Sequence, residues 1–304
     1  MKQINSFEDI KKQVIETSKN QSKKIAVAAA GDKEVLETIK MANDIGLATG
    51  ILIGDEDEII KQAKVVGLNL SLNSIVNITG EKAIAEKAVE LVRNGEADML
   101  MKGLIHSPTF MKAILNSQSG IKSGGFVHVI TALSHPRLGK TRLASDMGMV
   151  VEPTYKEKIE MIKNTAAVAR KMGIKTPKVA LITAMETVAE SIPITVESAA
   201  IAKMAERGQL GDLIVDGPIS FDLACFPEAC ERKRFKGPIQ GDADILIMPD
   251  LHAGNILYKS AVYLADMEVG SNFAGVTKPV AIYSRGDSAE TKLNSIAFSL
   301  MLAE

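Results

Sequence analysis

An α/β protein with mainly parallel sheets is what the sequence predicts, on two observations. Short runs of Val, Ile, Leu and Ala alternate with longer amphipathic segments along most of the 304 residues, the pattern of βα repeats. The alternation breaks near residues 121–150 and then resumes, which divides the chain into two such units. No low-complexity linker marks the break, so the two units are expected to share an interface.

The first repeat opens with KIAVAAA, Lys24–Ala30, a near-continuous apolar run stopped by Gly31-Asp32, as a strand buried on both faces requires. In DKEVLETIKMANDIG, residues Val35, Leu36, Ile39 and Ala42 share one face of a helix, and Gly46 is placed to end it. The cycle continues through TGILIG, DEDEIIKQAKVVG, SIVNIT, EKAIAEKAVELVRNG and ADMLMKG. A helix follows in HSPTFMKAILN, where Ser107 suits the cap and Pro108 the first helical position. Two strand-like runs, GGFVHVITAL and TRLASDMGMVV, then flank SHPRLGKT. After the long helix EPTYKEKIEMIKNTAAVARKMG the repeats resume as KVALITA, VESAAIAKMAERG, LIVDG, FDLACFPEACERKR, ADILIMPD and GNILYKSAVYLADM. KPVAIYSRGDSAETKLNSIAFSLMLAE closes the chain with a strand, a turn and a helix.

Composition excludes several classes. Lys plus Arg number 36 against 37 Asp plus Glu, and Trp is absent. Neither a basic field nor a stacking platform for nucleic acid is present. The polar N-terminal stretch has no signal-peptide core and no membrane span. Cys225 and Cys230, in CFPEAC, lack a second Cys or His cluster for zinc and read as reduced thiols of a cytoplasmic protein.

The stretch Ser134–Thr141 ends like a phosphate-binding loop, in Gly-Lys-Thr. That loop needs Gly six positions before its Lys, and Lys140 has Ser134 there. Pro136 and Gly139 suit instead the turn of an antiparallel hairpin. Better anion sites lie where strands end and helices begin, because helix N-termini offer free N–H groups. Three such junctions carry polar residues: Lys102, Gly103, His106 and Ser107; Asp250, His252, Gly254 and Asn255; and Ser284, Arg285 and Gly286. Arg285 can fork onto a phosphate or a developing oxyanion. The remaining polar features have plainer readings: His128 as a core histidine, His135 as solvated, Asp250 as a helix cap, Asp216 and Pro218 as turn residues.

Taken together, EPTYKEK, KVALITAMETV, IAKMAERGQLGDLIVDGPISFD, ADILIMPDLHAGNILYKS and SRGDSAETKLNSIA resemble the phosphate acetyl/butyryl transferase family, nearest its butyryl branch. The resemblance runs from about Lys23 to the C-terminus and is densest in the second half. It implies two α/β/α domains with a cleft between them, 1–128 plus 284–304 and 129–283, the C-terminal helix returning to the first. It further implies a homodimer or larger assembly of a cytoplasmic enzyme, acting on acyl-CoA and phosphate away from nucleic acid and membrane. The implied reaction is butanoyl-CoA plus phosphate to butanoyl phosphate plus CoA, by direct attack, with no metal and no cofactor beyond the coenzyme A thioester substrate.

By resemblance, Ser284 and Arg285 stabilise the oxyanion, and His106 and Ser107 line the phosphate or acyl pocket, with Asn255 beside it. Lys102, Gly103, Asp250 and Gly254 belong to the same substrate-binding segments. The acetyl branch places an Asp thiol base where Thr291 stands here, which leaves Asp287 and Glu290 as the carboxylates able to substitute; Gln118 replaces an arginine of that branch. The alternatives are acetyl or branched-chain transfer, a silent CoA-binding relative, and a nicotinamide-dependent dehydrogenase. The last lacks a G-x-G-x-x-G, since AVAAAGDKE follows the first strand.

Overall fold

A computed structural model describes residues 3–18, 22–284 and 286–303. In chain order the elements are α1 (Phe7–Thr17), β1 (Lys24–Ala28), α2 (Lys33–Asp44), β2 (Thr49–Gly54), α3 (Glu56–Val66), β3 (Ser74–Asn77), α4 (Glu81–Arg93), β4 (Met99–Lys102) and α5 (Ser107–Ile114). Then come β5 (His128–Ser134), β6 (Arg142–Ser145), α6 (Tyr155–Lys171), β7 (Lys178–Ile182), α7 (Pro193–Glu206), β8 (Ile214–Ile219), α8 (Phe221–Cys225), α9 (Pro227–Lys233), β9 (Ile245–Ile247) and α10 (Leu251–Leu264). The chain closes with β10 (Glu268–Ala274), β11 (Val280–Ile282) and α11 (Ala289–Leu302).

These elements form two compact units: a terminal unit of Phe7–Val127 with Gly270–Glu304, and a central unit of Met1–Ser6 with His128–Val269. The sequence reading put 270–283 with the second domain, whereas here it joins the terminal unit. In that unit the strand order is β3-β2-β1-β4-β11-β10. All pairings are parallel except that of β10 with β11. Parallel order brings the carboxyl ends of β1, β4 and β11 side by side. In β1, Ile25, Ala26, Val27 and Ala28 are fully buried, as expected for a strand covered on both faces. Each large aliphatic side chain so buried contributes roughly 1.5–3 kcal/mol.

Helix starts follow the local chemistry. Asp32 caps α2 by accepting from the Val35 N–H at 3.1 Å. Asp55 caps α3 in the same way, and Gly67 at φ 71° ends it. The face predicted for α2 is the one that is buried, through Val35, Leu36, Ile39 and Ala42. Helix α5 starts one residue earlier than expected: His106 occupies the cap position and Ser107 is its first helical residue. The segment 221–233 is two short helices, because Pro227 begins a new one.

In the central unit the order is β5-β6-β9-β7-β8, with only β5 and β6 antiparallel. SHPRLGKT is indeed the connection of that hairpin. Leu133 faces Arg142 in the register, and Gly139 adopts φ 69°. Lys140 does not hold phosphate here: its ammonium donates to the Asp242 carbonyl at 2.7 Å and pairs with the Asp244 carboxylate. Helix α6 opens with a reciprocal box, in which the Glu157 N–H donates to Thr154 Oγ1 and Glu157 accepts from the Thr154 N–H.

Strand β10 was not legible. EVGSNFA has too many small and polar residues to read as a buried strand. Its polar groups are satisfied internally: Asn272 Oδ1 accepts from the Val280 N–H at 2.9 Å, and Ser295 Oγ accepts from the Ser271 N–H at 3.0 Å. Gly270 is needed because a Cβ would lie 2.8 Å from the Asn294 backbone. Among the described residues no helix is long and apolar enough to cross a membrane.

Candidate active site

In the terminal unit the predicted residues gather at the carboxyl ends of adjacent strands. Lys102 is the last residue of β4 and is buried, 6% exposed. Its carbonyl accepts from the Tyr283 hydroxyl, just past the end of β11. Burial raises the Tyr283 phenol well above its ordinary range, so it serves as a neutral donor. Gly103 follows where β4 runs beside β1. A Cβ there would sit 2.2 Å from the Ala29 carbonyl oxygen and 2.5 Å from that of Ala28, so glycine alone fits.

His106 and Ser107 are exposed at the start of α5. His106 Nδ1 lies 2.6 Å from Glu81 Oε1, at the start of α4. Hydrogen bonding from the His106 ring is the chief cause that holds the Glu81 carboxyl below its usual range.

Beyond β11, Asp287 closes a reciprocal turn with Ser284. The Ser284 N–H donates to Asp287 Oδ2 at 2.6 Å, and the Asp287 N–H to the Ser284 carbonyl at 3.1 Å. Arg285 lies outside the described residues. Asp287 is 2% exposed. Glu290 points to α1, where Lys11 Nζ donates to its Oε1 at 2.5 Å. Thr291 is buried, and its N–H donates to the capping Ser288 at 3.2 Å. Asp287 and Glu290, the two carboxylates considered for proton transfer, are thus each engaged by a neighbouring group.

In the central unit, Asp250 caps α10 by accepting from the Ala253 N–H at 2.8 Å, the plainer of its two readings. Gly254 packs α10 onto the end of β6: a Cβ would meet the Asp146 carbonyl oxygen at 2.3 Å. Asn255, one residue on, donates from Nδ2 to the Met147 carbonyl at 3.4 Å. His252 is exposed.

Sequence reasoning missed Asp146, which organises this corner. It is 2% exposed and accepts from the backbone N–H groups of Val129, Gly148 and Met149 at 2.6–2.7 Å. Burial pushes its carboxyl upward against those donors. An Asp-x-Gly turn was the available signal. His128 is a core histidine as expected, fully buried and pushed down to about 4 by desolvation. Its Nδ1 meets Ser145 Oγ at 2.7 Å and its Nε2 meets Asn164 Nδ2 at 3.2 Å. Cys225 and Cys230 are buried and unbridged, and burial raises the Cys225 thiol to about 11.

Each unit thus sets its polar loops beyond the carboxyl ends of parallel strands, the arrangement of α/β proteins that bind ligands there. Residues 9–88 and 81–300 match the family described as phosphate acetyl/butaryl transferase. The phosphate butyryltransferase of Clostridium acetobutylicum is 38% identical over 300 residues, covering 99% of each chain. The phosphate acetyltransferase of Thermotoga maritima is 39% identical over 290 residues, 95% of this chain and 98% of that one. A branched-chain phosphotransacylase from Enterococcus faecalis superposes with a TM-score of 0.84 at 33% identity, covering 92% of this chain and 99% of its own. The chain belongs to the phosphate acetyl/butaryl transferase family.

Proposed function

We propose that this protein transfers a butanoyl group from butanoyl-CoA to inorganic phosphate, giving butanoyl phosphate and free coenzyme A. The observation that carries the reading is the 38% identity to a phosphate butyryltransferase along 99% of both chains. The strand-end loops supply groups suited to the chemistry. Hydrogen phosphate is already anionic and attacks the thioester carbonyl directly. What needs help is the oxyanion, where one aimed donor contributes about 3 kcal/mol. Ser284 and Arg285 take that part, with Arg285 also offsetting the phosphate charge. Lys102, Gly103, His106 and Ser107 surround the anion from β4 and α5, and Asp250, Gly254 and Asn255 form the substrate-binding loop of α10. Coenzyme A is a substrate in this scheme, no further cofactor or metal takes part, and the enzyme works in the cytoplasm as a homodimer or larger assembly.

The test is thiol release from butanoyl-CoA and acetyl-CoA, each with and without phosphate. Phosphate-dependent release faster from butanoyl-CoA is the expected result. No such release from either substrate overturns the reading. The similarity to the Thermotoga maritima phosphate acetyltransferase favours acetyl transfer as the second reading, and the same assay separates the two by which thioester is faster.

The role of Asp287 is separable as well. As the anchor of Ser284 it needs only an acceptor oxygen, so Asp287→Asn is expected to keep most activity. Asp287→Ala leaves the Ser284 N–H without that partner, at a cost of about 1–3 kcal/mol. A proton-carrying role predicts the opposite for asparagine, with activity lost as fully as in the alanine variant. Steady-state rates and thermal melts of both variants decide.

A further inference from the structure

We propose that Glu81 and His106 form a proton-carrying dyad, with His106 the catalytic residue that moves a proton from phosphate to sulfur and Glu81 its positioning residue. The inference rests on the acyl-transfer reading above and adds two roles to it.

The geometry fixes the tautomer. A carboxylate only accepts, so at 2.6 Å from Glu81 Oε1 the His106 Nδ1 carries the hydrogen, and in the neutral ring the lone pair is then on Nε2. One carboxylate thereby orients the ring. The His106 side chain is nonetheless 71% exposed, so Nε2 is open to a substrate. It follows β4 directly, beside β11, whose own end leads into Ser284.

Five other acids at this end of the sheet have structural employment. Asp32 and Asp55 cap α2 and α3, Glu34 pairs with Lys292, Glu290 with Lys11, and Asp287 takes the Ser284 N–H.

The reaction demands such a carrier. Hydrogen phosphate bears one proton that acyl phosphate does not, and coenzyme A thiol bears one that the thioester does not. In the forward direction a phosphate oxygen bonds to the carbonyl carbon, and the phosphate proton passes to neutral His106 Nε2. The carbon–sulfur bond then breaks, the electron pair goes to sulfur, and Nε2 returns the proton there. His106 ends neutral, and the reverse reaction uses the same steps backwards.

The test uses His106→Ala, Glu81→Ala and the double variant of the full chain, assayed with butanoyl-CoA, acetyl-CoA and phosphate. Because both side chains are exposed, melting temperatures should match the unchanged protein. A positioned general acid–base is expected to contribute about 10²–10⁴-fold, so His106→Ala should lose about 10²-fold or more in kcat. Added imidazole should restore part of that rate. Glu81→Ala should lose less, and nothing further in the double variant, since it acts through His106.

A wild type without phosphate-dependent thiol release overturns the acyl-transfer reading and the dyad with it. An active wild type whose His106→Ala variant stays within about threefold in kcat overturns the dyad alone. So does a folded, slow variant that imidazole leaves slow, because that loss marks binding and not proton transfer. Additive losses in the double variant remove Glu81 from the scheme.

Discussion

Replacing Arg285 with alanine is expected to lower kcat/KM by about 10²–10³-fold and to leave the melting temperature nearly unchanged. The chain is anchored on both sides of this residue, by the paired hydrogen bonds between Ser284 and Asp287 and by the capping of α11 through Ser288. Losing the side chain therefore removes charge and donors without removing the anchors. As the carbonyl carbon becomes tetrahedral, negative charge moves onto oxygen, and a guanidinium supplies both charge and directed N–H groups. Arg285→Lys tests the second part, since an ammonium keeps the charge and loses the fork. Lysine should recover only a fraction of the arginine rate. Thiol release measured against both phosphate and thioester concentration checks this, and near-normal turnover in the alanine variant removes Arg285 from the mechanism.

Gly254→Ala should damage both stability and turnover. The added Cβ would lie 2.3 Å from the Asp146 carbonyl oxygen and 3.0 Å from the Met147 Cα. Both are backbone atoms with no rotamer to yield, and Asp146 is itself fixed by three backbone N–H donors. Helix α10 must then retreat from the end of β6, at about 1–3 kcal/mol for overpacking. The retreat also breaks the bond from Asn255 to the Met147 carbonyl. Thermal melts should show a drop of several degrees, with a raised KM for substrate. A variant with unchanged melting and unchanged KM means the contact relaxes at no cost and that α10's position is not critical.

The βα repeats were legible because their chemistry is local. In α2 the cap, the buried face and the Gly46 stop all fall within fifteen residues, and the structure uses each of them. The hairpin at Ser134–Thr141 was legible for the same reason, since a missing glycine at Ser134 rules out the phosphate loop. Strand β10 was hidden because its polar groups are answered by Ser295 and by its own Asn272 side chain, partners no local pattern announces. The demand for glycine at 103 and 254 comes from chain crossings distant in sequence. Glu81 and His106 stand 25 residues apart, and only the folding of α4 against α5 joins them. Asp250 was legible as a helix cap from its place before α10, and its side chain accepts from the Ala253 N–H.

The division of the chain between its units sets an order of assembly. All five strands of the central unit lie between His128 and Ile247, so their pairings with one another can form while the ribosome still holds the last segments. Those of the terminal unit cannot, because β11 pairs with β4 on one side and β10 on the other and emerges last of the described strands. Until synthesis reaches residue 282, β4 carries an open parallel edge, and that edge is the natural ground for chaperone contact or for pairing with a neighbouring nascent chain. A stop after residue 279 would remove β11 as well as α11, so such a truncation should leave a folded central unit tethered to an unfinished one.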